Sequence, residues 1–411
     1  MDHRGYAGKA RALEGIRVLD LTRILAGPMA TQTLADLGAE VIKLERPGAG
    51  DDTRGWGPPF LKDRAGQDTR DSTYFLCCNR GKKSVTLDIA RPEGQQIVRR
   101  LAQQCDVLAE NFKVGDLARH GLGYAALSRL NPRLVYCSIT GYGQSGPYSE
   151  RAGYDPIAQA MGGMMAVTGE RDGPPQRVGV AVVDVLAANC AVIAILAALR
   201  HRDATGQGQH IDMALLDVQI SAMINIAQAY LSADVVAARN GNLHPSVVPS
   251  QSFDCQDGMI MLAAGNDGQF ARLCEVLGRD DWARDPRYAT NAARVRNRAV
   301  LTGLLQELLS QQPVAHWTER LSRAGVPCGP INDIAQVFRD PQVQHRGMRI
   351  EMQHAAAGAL PLLASPLRLS ETPVEYRLPP PLLGEHTDQV LGALLGMQAA
   401  EIEALRRARV L

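Results

Sequence analysis

The chain has 411 residues, with 44 lysines and arginines against 43 aspartates and glutamates, and 45% of its residues are hydrophobic. At roughly 150 residues per domain, this length predicts two or three domains, and the apolar fraction excludes an intrinsically disordered chain. A charge balance near zero also argues against a nucleic-acid binder, because affinity for phosphates depends on a basic surface. We therefore expect small molecules as partners and no nucleic acid.

Eight cysteines are spread along the chain without a CxxC pair, and nine histidines occur without an HExxH motif. This spacing favours reduced thiols over disulfides, and it predicts no bound metal. Residues 1–13 mix charged and apolar side chains and lack an apolar run, which argues against a signal peptide. Together these features predict a cytoplasmic protein.

Short β-branched runs alternate with helical patterns over the first 150 residues. The predicted strands are Ile16–Leu21, Glu40–Leu44, Ser84–Ile89, Cys105–Ala109 and Leu134–Ile139. A helical pattern at Pro28–Leu37 separates the first two strands, and another starts at Pro92 after the third. Strands joined through helices in this way pair in parallel. The alternation therefore predicts an α/β fold with a doubly wound sheet.

Four loops follow predicted strands, at the edge where open α/β sheets bind their ligands. They span residues 22–27, 46–60, 110–115 and 140–155. The second loop is too long and too rich in glycine and proline for a plain connector. It contains a GxG at Gly48–Gly50, but no third glycine follows, so a dinucleotide-binding fingerprint is not indicated.

The pattern changes in the middle of the chain. The predicted elements there are a short strand His210–Met213, a long helix Leu215–Ala233 and a hairpin Phe253–Ala264. The hairpin turns at Asp257-Gly258, a pair typical of tight turns. These elements predict a second, smaller domain. Near the C-terminus we expect a last helix at Asp388–Leu395, capped by Thr387.

Val178–Leu199 is a 22-residue apolar segment whose only charged residue is Asp184. Its length suits a membrane span, but an aspartate at the centre costs on the order of 3 kcal/mol in lipid and no basic cluster flanks the segment. The β-branched part, Val178–Val185, predicts a strand or extended segment, and Leu186–Leu199 predicts a buried helix. We therefore expect no membrane contact, and a carboxylate in apolar surroundings where the two elements meet.

Five segments, in order along nearly the whole chain, resemble the family III CoA-transferases of the CaiB/BaiF type. They are residues 13–60, which begin LEGIRVLDL, then NRGKKSVTLDI at 79–89, AENF at 109–112, SITGYGQSGPYSERAGYD at 138–155 and PPLLGEHTD at 380–388. Within the family, the motifs look closest to the dicarboxylate type that acts on succinyl-CoA and glutarate.

The resemblance implies a Rossmann-like large domain of residues 1–212 and 328–411 and a smaller α+β domain of residues 213–327. It also implies a homodimer whose two chains interlock. The nucleophile it implies is Asp184, about thirty residues after the GYD motif. Asp155, the aspartate of GYD itself, is better explained as a residue that caps or turns the chain into the next helix.

The resemblance further implies a set of CoA contacts in the large domain. Carried over position by position, they are Leu25, Ala26, Arg46, Leu87, Asp88, Ile89, Asn111, Phe112, Lys113, Arg119, Arg151 and Tyr154. Arg46 and Arg119 suit the CoA phosphates because a guanidinium can pair with two oxygens. Ala90 and Ala152 stand where the family can show a lysine, so they are poor polar contacts.

A dicarboxylate acceptor needs a cation for its far carboxylate. Arg23, Arg54 and His244 lie on predicted loops near the presumed site and are the candidates. His244 belongs to the loop Gly241–Pro249, which matches the family's oxyanion-stabilising loop. That loop lacks the run of glycines found in formyl-CoA:oxalate members, which argues against oxalate as the acceptor.

We therefore expect a CoA-transferase that moves CoA from an acyl-CoA, by resemblance succinyl-CoA, to a carboxylic acid such as glutarate. Asp184 would form an aspartyl anhydride and then an aspartyl-CoA thioester, with no cofactor beyond the carried CoA. The alternatives are formyl-CoA:oxalate transfer, an α-methylacyl-CoA racemase and a non-catalytic CoA-binding subunit. The racemases carry histidine where this chain has Tyr154, and tyrosine is a poor base at neutral pH.

Overall fold

The computed structural model describes residues 11–411, so the expectation about a signal peptide falls mainly outside the described residues. The strands are β1 Arg17–Leu21, β2 Glu40–Glu45, β3 Phe60–Lys62, β4 Asp68–Ser72, β5 Lys82–Thr86, β6 Val107–Glu110, β7 Val135–Thr140, β8 His210–Ala214, β9 Ser250–Cys255, β10 Gly258–Ala263, β11 Cys328–Pro330, β12 Arg349–His354 and β13 Gly358–Leu363.

The helices vary from one turn to almost seven. They are α1 Ala26–Asp36, α2 Thr73–Leu76, α3 Pro92–Ala102, α4 Asp116–Arg119, α5 Tyr124–Leu130, α6 Asp155–Met161, α7 Met164–Val167, α8 Val182–Thr205, α9 Leu215–Ser221, α10 Ile224–Ala233, α11 Asp267–Leu277, α12 Asp280–Arg284, α13 Asn291–Arg296, α14 Arg298–Leu309, α15 Val314–Arg323, α16 Ile334–Val337, α17 Pro341–His345, α18 Thr387–Leu395 and α19 Ala399–Arg407.

A six-stranded sheet with only parallel neighbours organises the larger of two units. Its strand order is β5-β2-β1-β6-β7-β8. Counted among themselves, these strands run 3-2-1-4-5-6, the doubly wound order of Rossmann folds. The predicted α/β fold with a parallel sheet is therefore confirmed. The order reverses between β1 and β6, where such sheets bind ligands beside the carboxyl ends of the strands.

Helices cover both faces of this sheet because successive strand residues point to opposite sides. On β1, Val18 joins an apolar cluster with α1 and α8, and Leu19 joins a second cluster with α3, α18 and α19. Helix α8 is long and apolar enough, by length and composition, to cross a membrane. It buries one side in the first cluster, including Ala187, Ala191 and Ile195.

The two units divide the chain differently from the predicted domains 1–212, 328–411 and 213–327. The large unit contains the described residues up to Met164, Val178–Asp234 and Arg346–Leu411. The small unit contains Met165–Arg177 and Val235–His345. Strand β8 pairs with β7, and α9 packs on α6 and α8, so the chain stays in the large unit through α10.

The small unit has its own sheet and core. The hairpin β9–β10, predicted from the sequence, pairs with β11 in an antiparallel sheet of order β11-β10-β9. Its core is formed by apolar residues of this sheet and of α11, α14 and α15, including Phe253, Leu262, Phe270 and Leu305.

Three local predictions are wrong. The run Val178–Val185 forms no strand, because α8 begins at Val182. The predicted helix Leu215–Ala233 is two helices, α9 and α10. Helix α18 is followed by α19, and Thr387 does not cap it, since its hydroxyl donates to the carbonyl of Gly384 at 2.9 Å.

Candidate active site

The predicted CoA contacts follow strands whose carboxyl ends share one edge of the parallel sheet. They are Leu25 and Ala26 after β1, Arg46 after β2, Leu87, Asp88 and Ile89 after β5, Asn111, Phe112, Lys113 and Arg119 after β6, and Arg151 and Tyr154 after β7. Helix α8 leads into β8 through a short turn, so its N-terminus lies at the same edge. The fold therefore places Asp184, in the first turn of α8, beside these loops.

Asp155 caps the N-terminus of α8. Its Oδ2 accepts hydrogen bonds from the backbone N–H groups of Val183 at 2.7 Å and Asp184 at 3.3 Å. Its Oδ1 accepts from Gln159 Nε2 at 2.6 Å, and Gln159 Oε1 accepts from the N–H of Val178 at 2.9 Å. These bonds fix both the start of α8 and the segment before it. Asp155 thus has the structural role expected of it, but the helix it caps is α8, not α6.

The carboxyl group of Asp184 is partly buried and accepts no hydrogen bond from the described residues. N–H groups at a helix N-terminus normally favour an ionised aspartate, but here the first-turn N–H groups bond to Asp155. Burial, and then the charge of Asp155, raises the pKa of Asp184 to about 7. The result is a poorly solvated carboxylate with its oxygens free to attack an electrophile.

Tyr74 is a neighbour of Asp184 that sequence reasoning missed, since no motif marks it. It lies half-buried on α2, and its ring packs edge-on against Trp56 with centroids 5.4 Å apart. Burial, and then the negative charge of Asp184, raises the pKa of Tyr74 to about 12. Its phenol is therefore a neutral O–H donor within the electrostatic reach of Asp184.

Arg23 and Asn111 join the loops after β1 and β6. Asn111 Oδ1 accepts from the N–H of Arg23 at 2.9 Å, and Asn111 Nδ2 donates to the Arg23 carbonyl at 2.7 Å. The Arg23 guanidinium lies 5.5 Å from the ring centroid of Phe112 and pairs with Asp52 at 2.8 Å. It is also exposed, so this cation stays accessible at the ligand edge.

The remaining predicted cations differ in how free they are. Arg46 and Lys113 are exposed, and neither has a carboxylate partner among residues 11–411. Arg119 forms an ion pair within α4, and the Arg151 guanidinium stacks 3.9 Å from the ring centroid of Tyr148. Of these four, Arg46 and Lys113 are exposed and have neither an ion pair nor a ring contact among the described residues, which leaves them open to phosphate oxygens.

Backbone hydrogen bonds to β2 and to the C-terminal segment hold the residues that follow β5. The N–H of Leu87 donates to the carbonyl of Glu45 and that of Asp88 to the carbonyl of Val410, both at 2.8 Å. Leu87 is buried, whereas Asp88 and Ile89 are partly exposed. These two can therefore line a ligand at the edge, while Leu87 anchors them.

The structure contradicts the predicted role of Arg54 in acceptor binding. Arg54 is buried, and its Nε and Nη2 donate to the two carboxylate oxygens of Glu45 at 2.8 and 2.7 Å. Its Nη1 donates to Asp71 Oδ1 at 2.6 Å, and its guanidinium lies 3.7 Å from the ring centroid of Phe75. Arg54 therefore ties the end of β2 to the hairpin β3–β4.

His244 belongs to the small unit. It is exposed, and its Nδ1 accepts from the N–H of Ser246 at 3.2 Å. Its role toward an acceptor stays a prediction. Within residues 11–411, no group of three or more His, Cys, Asp or Glu side chains is arranged to hold a metal ion.

A carboxyl group with a raised pKa, together with free cations at the edge where doubly wound sheets bind ligands, marks a candidate active site. Comparison with known proteins shows that the chain matches CoA-transferase family III over residues 13–387. The chain belongs to this family.

Individual relatives match over almost their whole length. The chain is 47% identical to the succinate–glutarate CoA-transferase of Agrobacterium fabrum, covering 96% of each chain. It is 45% identical to the succinyl-CoA:glutarate CoA-transferase of Homo sapiens, covering 94% of this chain and 86% of the relative. The crystal structure of a CaiB/BaiF family protein from Brucella suis has a TM-score of 0.85 and 48% identity, covering 93% and 99%.

Replacing Asp155 with asparagine should shift the pH dependence of catalysis. The predicted nucleophile, Asp184, must be ionised to attack, so kcat/KM of the unmodified enzyme should fall as the pH drops through about 7. Removing the Asp155 charge lowers the pKa of Asp184, so this acidic limb should move to lower pH.

Glu150→Gln is the matched control, since it removes an exposed carboxylate from the same loop. Its acidic limb should coincide with that of the unmodified enzyme. An active Asp155→Asn enzyme with an unshifted acidic limb would contradict the role of Asp155.

Proposed function

We propose that this enzyme transfers CoA from succinyl-CoA to a dicarboxylate acceptor of the glutarate type. The observation that carries the proposal is the Asp184 carboxyl, which is partly buried and free of hydrogen bonds from the described residues at the ligand edge. The relatives at 45–47% identity, named for succinyl-CoA and glutarate, support the choice of acids.

The proposed reaction uses Asp184 as a covalent carrier. Its carboxylate attacks the thioester carbonyl, the C–S bond breaks, and CoA leaves as a thiolate from a mixed aspartyl anhydride. The thiolate attacks the aspartyl carbonyl, which releases the donor acid and leaves an aspartyl-CoA thioester. The acceptor carboxylate then repeats the two steps in reverse. The reaction begins and ends with a thioester and a carboxylate, and every step is an acyl transfer, so no cofactor beyond the carried CoA is required.

Burial supports this chemistry in two ways. A poorly solvated carboxylate loses little hydration when it attacks, and a site that excludes water protects the anhydride from hydrolysis. Tyr74 keeps its proton, because its pKa is about 12, and it can donate toward negative charge that develops on the reacting carbonyl oxygen. Asp184 is the base form above a pH of about 7, so the nucleophile is available at neutral pH.

We assign the CoA phosphates to Arg46 and Lys113, the open cations at the sheet edge. For the far carboxylate of the acceptor, Arg23 is the candidate in the large unit. Both side chains of its ion pair with Asp52 are solvent-exposed, and such surface pairs contribute only about 0–1 kcal/mol to stability. A substrate carboxylate can therefore replace Asp52 at little cost. His244 is the second candidate.

We further propose that the enzyme is an interlocked homodimer in the cytoplasm. Large apolar side chains are exposed on α8 and α10, with Ile193 at 67%, Ile224 at 72% and Leu231 at 77% exposure, which is typical of a surface covered by a partner. All eight cysteines are free thiols, as a reducing compartment favours. A single species of 44.4 kDa in sedimentation equilibrium would contradict the dimer.

A panel of donors and acceptors tests the proposed specificity. The purified enzyme is given succinyl-CoA, acetyl-CoA or formyl-CoA with glutarate, oxalate, butyrate or no acceptor, and new CoA esters are measured by chromatography. We expect succinyl-CoA with glutarate to give the highest kcat/KM, because the acceptor's second carboxylate adds a charge-assisted contact. Transfer to oxalate alone, or solvent deuterium entering an acyl α-carbon without acceptor, would contradict the proposal.

Asp184→Asn should abolish transfer in the same assay while CoA binding is retained. An amide is not a nucleophile here, and loss of a covalent nucleophile lowers kcat on the order of 10⁶-fold. Asp203→Asn, at the opposite end of α8, is the control and should stay active. Turnover by Asp184→Asn at an undiminished rate would remove Asp184 from the mechanism.

A further inference from the structure

Two loops at the ligand edge are tied together by a completely buried ion pair. Lys43 lies on β2 and Asp51 in the loop that follows, and neither side chain has any exposed area. Lys43 Nζ lies 2.9 Å from Asp51 Oδ2 and donates a second hydrogen bond to the carbonyl of Thr22 at 2.8 Å. Because Thr22 begins the loop after β1, the pair connects that loop to the loop after β2.

The other carboxylate oxygen of Asp51 holds the opposite end of the turn Thr22–Ile24. Asp51 Oδ1 accepts from the N–H of Ile24 at 3.2 Å and from the N–H of Thr53 at 3.0 Å. Ile24 has a φ of 75°, in the left-handed region that β-branched residues rarely adopt. Such a conformation persists only where the surroundings enforce it, and it occurs most often at functional sites. Lys43 and Asp51 supply that enforcement at the two ends of the turn.

The strained turn leads directly into α1. The residue before this helix, Leu25, provides no side-chain cap, and the N–H groups of Ala26 and Gly27 have no acceptor among the described residues. A Cβ on Gly27 would lie 2.3 Å from the Cβ of Thr22, so the chain passes very close to itself here. The turn therefore sets the direction of the N-terminus of α1, whose first N–H groups remain able to donate to a ligand.

Stability alone is a weak reason for this pair. Replacing a buried ion pair by apolar side chains is often neutral or stabilising, so such pairs need another explanation. Lys43 and Asp51 bond to the backbone of the two loops that carry Arg46, Leu25 and Ala26.

We propose that the Lys43–Asp51 pair is a positioning device that holds the turn Thr22–Ile24 in the conformation that binds CoA. The proposal rests on the proposed CoA transfer. Neither residue touches CoA, since both are completely buried. They keep the binding loop ordered before CoA arrives. Without them, part of the binding free energy would be lost to ordering the loop, and affinity would be weaker.

The test compares Lys43→Met, which breaks this buried ion pair, with a variant that breaks another buried ion pair far from the ligand edge. Arg202→Met is the control, because Arg202 is 4% exposed and pairs with Asp106 at 2.6 Å at the opposite, amino edge of the sheet. The dissociation constant for CoA is measured by calorimetry without any acceptor, together with Tm. We expect both variants to lose Tm, but only Lys43→Met to bind CoA at least tenfold more weakly.

Asp51→Asn provides the same comparison if Lys43→Met does not fold, because it keeps the shape of the side chain and removes its charge. Equal CoA affinities in Lys43→Met (or Asp51→Asn, where it takes its place) and in Arg202→Met would overturn the proposal. If the unmodified protein binds CoA but does not transfer it to glutarate, the acceptor assignment is contradicted. The comparison between the variants, which measures CoA binding alone, stays valid. An unmodified protein that binds no CoA would overturn both.

Discussion

The contact between Asp155 and the N-terminus of α8 determines how Asp184 can act. By accepting hydrogen bonds from the N–H groups of Val183 and Asp184, Asp155 sets where the helix begins and therefore where the proposed nucleophile, Asp184, lies. The same bonds remove the N–H groups that would otherwise stabilise an ionised Asp184 and put a second negative charge beside it. One carboxylate thus fixes both the position of the proposed nucleophile and its pKa of about 7.

The parallel sheet then brings together what the chain keeps apart. Loops that follow five strands, more than a hundred residues from first to last, meet the start of α8 at one edge because every strand points the same way. Buried ion pairs hold these loops in place. Arg54 binds Glu45 and Asp71, and Lys43 binds Asp51, so the charges that shape the edge are separate from those left open to a ligand, such as Arg46.

Local sequence pattern predicts the sheet and isolates Asp184 as the only charge in an apolar run, because both signals lie within a few neighbouring residues. It fails where a distant partner decides. The β-branched residues before Asp184 favour a strand, yet a helix capped by Asp155 begins among them, at Val182. Arg54 and Arg46 look alike in sequence, and only the folded hairpin β3–β4 shows that Arg54 is already paired.

Trapping of the covalent intermediate tests the central claim, that Asp184 carries the acyl group and then CoA. The enzyme is incubated with succinyl-CoA without acceptor, treated with hydroxylamine, digested and analysed by peptide mass spectrometry. An activated aspartate becomes a hydroxamate, and we predict this modification on Asp184 alone, absent without succinyl-CoA. Modification of Asp155 instead, or an unmodified Asp184 in an enzyme that turns over, would contradict the account.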